Sequence, residues 1–256
     1  MTILCRLTQF AVCFLFLAAS SAQGQIIRAT LLGTGSPPPV MERFGPSILI
    51  EAGDQKFLFD AGRGALQRLT QTGVKYKDIQ GVFFTHLHSD HVVGFPDLWL
   101  TGWLTGQRTA PLLVWGPKGT QKMMSNLEKA FEFDIKNRIS DHTGAPEGVV
   151  IKAEDIKESV VLEKNGVKIT AFEVDHGQLK PALGYRIDYG GRSIVLSGDT
   201  RYSENLIRNS KGVDLLIHEV VSPEILVRMK FPAELAKTIT EYHTTPEQAG
   251  ELFSVI

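Results

Sequence analysis

Thr85-His86-Leu87-His88-Ser89-Asp90-His91 follows directly on the apolar run Gly81-Val82-Phe83-Phe84. The run is short and rich in aromatic and β-branched side chains, so it reads as a buried strand, with the polar heptad on the loop at its C-terminal end. Loops in that position are where chemistry concentrates. His-x-His-x-Asp-His packs three imidazoles and one carboxylate into residues 86–91. Nitrogen and hard-oxygen donors at that density suit Zn²⁺ or a similar divalent ion. In a tight loop His86 and His88 can point to one centre, and Asp90 and His91 to a neighbouring one. Two metals roughly 3.5–4 Å apart could hold a hydroxide between them and clamp both oxygens of a displacement. The alternative is a solvated turn that binds metal adventitiously, which one or two histidines would suggest and this pattern does not.

The chain has 256 residues, 43% hydrophobic, with a formal net charge of −1. That is enough to bury a sizeable core in a single domain, and it is neither a disordered nor a fibrous composition. The N-terminus differs from the rest. Arg6 precedes the apolar segment Phe10 to Ala19, and the small residues Ser20-Ser21-Ala22 follow. This reads as a secretory signal peptide over residues 1–22, too short to span a bilayer comfortably, with an uncleaved anchor as the alternative. Both cysteines, Cys5 and Cys13, lie inside it, so the mature domain (23–256) has no thiolate ligand, disulfide or cysteine nucleophile. The expected location is periplasmic or secreted, with no membrane contact after cleavage.

Beyond the signal, Ile26 to Leu32 reads as a strand ending in Gly33-Thr34-Gly35-Ser36, but prolines follow where a dinucleotide fingerprint needs a third glycine and a helix. Strands at 47–51 and 56–60 form a hairpin, and a helix runs from Gly64 to Leu69, stopped by Gly73. Asp60, at a strand end, is either the partner of a metal-binding histidine or a solvated carboxylate. Trp99 and Trp103 stand four apart on a candidate helix, as core or as a substrate platform. His142 is a lone turn histidine. Residues 132–163 lose clear periodicity. Strand patterns also end at Asp175-His176, Ser197-Gly198-Asp199 and His218-Glu219. Thr245-Pro246-Glu247-Gln248 is a helix start with a capping box. It holds His243 just ahead of a helix N-terminus, whose dipole should lower an imidazole's pKa.

Thr-His-x-His-x-Asp-His after an apolar strand resembles the signature of the metallo-β-lactamase superfamily. Leu-Gly-Thr-Gly-Ser at 32–36, His218-Glu219 and His243-Thr244-Thr245 narrow the resemblance to the branch of ribonuclease Z and related zinc phosphodiesterases and arylsulfatases. It implies an α/β fold, a four-layer αββα sandwich of two mixed sheets with helices outside and two divalent ions, zinc by preference, at one sheet edge. The implied ligands are His86, His88, Asp90, His91, His176 and Asp199, with Asp199 bridging. Asp90 is also implied to orient the nucleophile, and His243, backed by Glu219, to protonate the leaving oxygen. The family carries a further strand ending in Thr-His that completes the second metal's shell. The chain as given reads as lacking that strand and helix, with His218 a weak substitute.

The implied activity is an exported dinuclear hydrolase of phosphodiester, sulfate ester or related ester bonds, acting through a metal-bridging hydroxide. The alternatives are ribonuclease Z-type processing of tRNA 3′ ends and a non-catalytic metal-binding or truncated pseudoenzyme. No basic, glycine- and proline-containing arm is visible in 132–163, where Lys136 and Arg138 are offset by Asp134, Asp141, Glu147, Glu154 and Asp155. With the export signal, this argues against folded RNA and leads to the expectation of a small ester substrate in preference to nucleic acid. The resemblance also implies a possible homodimer.

Overall fold

A computed structural model describes residues 26–256. The expected signal peptide and both cysteines lie outside the described residues. Among the described residues eleven strands form two sheets. The first holds β1 (Ile27–Gly33), β2 (Ser47–Ala52), β3 (Gln55–Phe59), β4 (Ile79–Phe83), β5 (Leu112–Gly116) and β6 (Ile151–Asp155), side by side in that order. The second holds β7 (Ser159–Lys164), β8 (Val167–His176), β9 (Leu179–Tyr189), β10 (Arg192–Leu196) and β11 (Leu215–Ile217). Both sheets are mixed: β1 to β3 and β7 to β10 pair antiparallel, while β3 to β6 and β10 with β11 pair parallel.

Among the described residues ten α-helices flank them: α1 (Ala65–Gln71), α2 (Ser89–Val92), α3 (Phe95–Leu104), α4 (Thr120–Ala130), α5 (Glu132–Ser140), α6 (Pro146–Val149), α7 (Glu204–Ser210), α8 (Pro223–Arg228), α9 (Ala233–Tyr242) and α10 (Pro246–Phe253). Alternation along each strand decides the layers, because successive side chains point to opposite faces. Phe57, Phe59 and Phe83 face the second sheet and pack with Ile169, Leu183 and Tyr185. Leu58, Val82 and Phe84 face outward onto α1, α3 and α4 through Leu69, Trp99 and Met124. Phe172 and Val195 of the second sheet meet Leu206 of α7 and Leu252 of α10. The result is the expected αββα sandwich. No helix among the described residues is long and apolar enough to cross a membrane.

Trp99 and Trp103 are core, each buried with its indole N–H on a carbonyl, of Val149 and Ala145 respectively. The region of weak periodicity contains α5, α6, β6 and β7. Both strands are outermost in their sheets and largely exposed, so little alternation is needed to hold them. Two hydrogen bonds between the sheets fix the strand end that carries the histidine heptad. The Tyr185 hydroxyl donates to the Phe84 carbonyl at 2.6 Å, and the Leu183 N–H donates to the Thr85 carbonyl at 2.8 Å.

Candidate metal centre

The heptad leaves β4, turns, and becomes α2, so His86 precedes the helix, His88 caps it, and Asp90 and His91 lie within it. His176 is the last residue of β8, Asp199 follows β10, Glu219 follows β11, and His243 ends α9. All reach the same edge of the sandwich. His88 Nδ1 stands 3.0 Å from His86 Nε2 and 3.3 Å from His176 Nε2. Asp199 Oδ2 lies 3.3 Å from His91 Nε2 and 3.8 Å from His86 Nε2. Three donor sets result, each with its ligand atoms within 4.8 Å of one another: His86/His88/His176, His86/His91/Asp199 and His176/Asp199/His243.

The tautomers follow from the outer hydrogen bonds. His91 Nδ1 donates to Asp60 Oδ2 at 2.8 Å, and His176 Nδ1 donates to the Tyr242 carbonyl at 3.0 Å. His86 Nδ1 donates to Thr85 Oγ1 at 3.0 Å, whose own proton goes to Asp60 Oδ2 at 2.8 Å. With each Nδ1 protonated, each Nε2 turns a lone pair inward, the arrangement metal-ligating imidazoles adopt. His91 Nε2 is buried and finds no hydrogen-bond partner among the described residues. Burial of His86 and His176, and partial desolvation of the more exposed His88, hold all three below the ordinary imidazole pKa, so they stand neutral and able to ligate at neutral pH. Burial also works against charge on His91, but Asp199 and Asp60 outweigh it and raise its pKa, which means that this pocket favours a cation. The donor set fits divalent metal binding.

Asp60 is thus no solvated strand end. It is buried in a left-handed conformation (φ 58°) and also accepts from the Thr85 N–H at 2.8 Å. Asp90 stands further out, its Oδ2 3.8 Å from His91 Nε2 and outside the three sets. His218 joins none of them; its Nδ1 donates to the Glu219 carbonyl and its ring lies 6.2 Å from Phe253. His142 sits exposed in a turn.

Glu219 Oε1 accepts from His243 Nδ1 at 3.0 Å and from the N–H groups of Thr200 at 3.1 Å and Thr244 at 3.2 Å. The capping box at Thr245 forms as expected. The expected lowering of the His243 pKa is reversed. Burial lowers it, but the hydrogen bond and charge of Glu219 prevail and raise it. A carboxylate within hydrogen-bond reach outweighs the partial charge of a helix end. Thr85 and Thr244 stand inside the quoted motifs without a role read for them, and Thr200 and the Tyr242 carbonyl were not singled out; all act through backbone groups or short hydroxyls, which give no sign of their role in sequence.

The description "Beta-lactamase superfamily domain" belongs to the family model that matches residues 55–256. The chain belongs to this superfamily. A ribonuclease Z of Mycolicibacterium gilvum is 38% identical over 228 residues, 88% of this chain and 79% of that protein. One of Mycobacterium marinum is 38% identical over 227 residues, 88% and 81%. Human tRNase Z, short form, superposes with a TM-score of 0.64 at 22% identity, covering 90% of this chain and 88% of that one. A diphosphatase of the PhnP family gives 0.64 at 18%, covering 90% and 82%. Within the superfamily the chain falls in the ribonuclease Z branch and is a metal-dependent hydrolase of ester bonds. The expectation of a small ester substrate in preference to nucleic acid is overturned by relatives named for a ribonuclease. It rests on the charge balance of one stretch, residues 132–163, and on the signal segment, whereas phosphates can be held by cations from any part of the surface.

Proposed function

We propose that the protein is an endoribonuclease of the ribonuclease Z type, cutting a phosphodiester bond at the 3′ side of a tRNA precursor. The observation that carries this reading is the 38% identity to ribonucleases Z, sustained over 88% of the chain. The His243–Glu219 pair supports it, since a phosphodiester needs a proton for its leaving oxygen. His86, His88 and His176 would hold one divalent ion and Asp90 and His91 a second, with Asp199 between them; the mixed nitrogen and oxygen donors favour zinc. Ions there would supply Lewis-acid polarisation of the ester and neutralise the charge that develops on its oxygens.

The chain's own groups do the rest. Asp60 holds His91 directly and His86 through Thr85. Asp90, at the rim of the donor sets, orients the attacking water. His243, with Nδ1 engaged by Glu219 and its pKa raised, delivers the proton from Nε2 to the leaving oxygen. The test is a tRNA precursor with a 3′ trailer, incubated with zinc-loaded protein. The expected result is endonucleolytic release of the trailer, lost in His88→Ala. Turnover of an aryl sulfate with no cut in any precursor would refute the reading.

A further inference from the structure

We propose that Tyr242 is a positioning residue that holds the metal ligand His176 and the proton donor His243 in one geometry, by seating its ring on Gly177. The proposal rests on the roles given to those two histidines above and adds what keeps them in register.

Two neighbouring pairs of residues face each other across the site. His176 ends β8 and Gly177 opens the turn to β9, while Tyr242 and His243 end α9. His176 Nδ1 donates to the Tyr242 carbonyl at 3.0 Å, and the rings of His176 and His243 stand edge to face with centroids 4.9 Å apart. The Tyr242 ring covers Gly177. A side-chain carbon built on that glycine would lie 2.5 Å from Cδ1 and Cε1 of the ring and 2.8 Å from Cγ, closer than non-bonded carbons approach. Gly177 also holds a left-handed conformation (φ 62°), which glycine adopts at no steric cost. The turn is fixed independently of the ring: the Gly177 N–H donates to Asp175 Oδ1 at 3.2 Å, and Asp175 is tied to Arg201 at 2.7 Å.

The ring matters because α9 is lightly held. None of its residues is buried, and α8, on which it packs, buries only Leu226. A helix with so little apolar burial has low local stability and stays in place only if its end is pinned. Pins stand on both sides of His243. After it, buried Thr244 donates through its hydroxyl to the Thr200 carbonyl at 2.7 Å and through its N–H to Glu219 at 3.2 Å. Before it, the Tyr242 ring sits on Gly177. Without the ring the Tyr242 carbonyl can drift from His176 Nδ1, and His176 loses the partner that aims Nε2 at the metal position. The same drift turns the His243 ring, whose Nδ1 donates to Glu219 at 3.0 Å.

The test uses the full chain with Tyr242→Ala, Tyr242→Phe and Gly177→Asn. Asparagine tolerates the left-handed backbone, so Gly177→Asn puts a side-chain carbon under the ring without a forbidden φ. Zinc affinity is read by competition with a chromophoric chelator, and solvent exchange of the Nδ1 protons of His176 and His243 by nuclear magnetic resonance of the zinc-loaded protein. Tyr242→Ala and Gly177→Asn should each weaken zinc binding about tenfold or more, the effect of losing an outer partner, and speed exchange of both Nδ1 protons about tenfold or more. Tyr242→Phe, which keeps the ring, should stay within about twofold of the parent in both. A merely structural role would lower the urea midpoint in EDTA and leave zinc affinity and both exchange rates at their parental values, which overturns the proposal. Faster exchange at only one of the two histidines, a Tyr242→Phe protein as weak as Tyr242→Ala, or a parent that binds no zinc overturns it as well. No readout uses RNA, so the expected pattern in a protein that cuts no precursor supports the proposal and counts against the ribonuclease reading alone.

Discussion

Asp60→Asn is the most informative single change, because one carboxylate sets the orientation of two imidazoles. Asp60 accepts three hydrogen bonds of 2.8 Å each, from the Thr85 N–H, the Thr85 hydroxyl and His91 Nδ1. The Thr85 hydroxyl in turn receives His86 Nδ1 at 3.0 Å. Asparagine keeps the size and tolerates the left-handed backbone at φ 58°, so the backbone is not the variable. Its carbonyl can still serve the Thr85 N–H, but its amide then presents N–H groups where Oδ2 stood. His91 Nδ1 must release its proton to avoid a donor facing a donor, and the proton moves to Nε2, the atom 3.3 Å from Asp199. A protonated Nε2 cannot ligate. Loss of such an outer partner weakens metal binding by about 10–100-fold, or ~1.4–2.7 kcal/mol. The metal-free protein should also lose about 1–3 kcal/mol, as a buried hydrogen-bond network is left mismatched. Zinc competition against a chromophoric chelator reads the first number and urea unfolding in EDTA the second. An Asp60→Asn protein that binds zinc as tightly as the parent would show that Asp60 does not set the tautomer, and the reasoning from outer hydrogen bonds would fail.

Three further outcomes follow from the same geometry. Glu219→Gln should cut the rate by about 10²–10⁴-fold, the range of a general acid. Because Glu219 raises the His243 pKa against the pull of burial, the protonated form persists to higher pH in the parent; the activity of the variant should therefore be lost at lower pH as pH rises, read from pH–rate profiles. Removing metal with a chelator should destabilise the fold by about 2.7 kcal/mol relative to protein held at a hundred times the dissociation constant in zinc, visible as a fall in Tm. Tyr185→Phe, which frees the buried Phe84 carbonyl from its 2.6 Å hydrogen bond, should cost about 1–2 kcal/mol in urea unfolding and leave zinc stoichiometry unchanged.

The amino-acid order alone determined the metal-ligand loop, because donors that must converge within a few ångströms are most simply supplied within a few residues, and His86, His88 and His91 all fall within residues 86–91. The sandwich was implied by the family resemblance, and the structure shows why it holds: its central strands are apolar on both faces and carry a layer on each side. The distant members, His176 and Asp199, were legible as strand ends carrying a donor, and the family pattern assigned them. Tertiary structure decided the rest for one reason: the remaining interactions join groups that sequence spacing does not link. The Tyr242 carbonyl that orients His176 is 66 residues away from it, and a carbonyl is common to every residue. The charge preference of His243 turned on a carboxylate 24 residues upstream and not on the helix beside it.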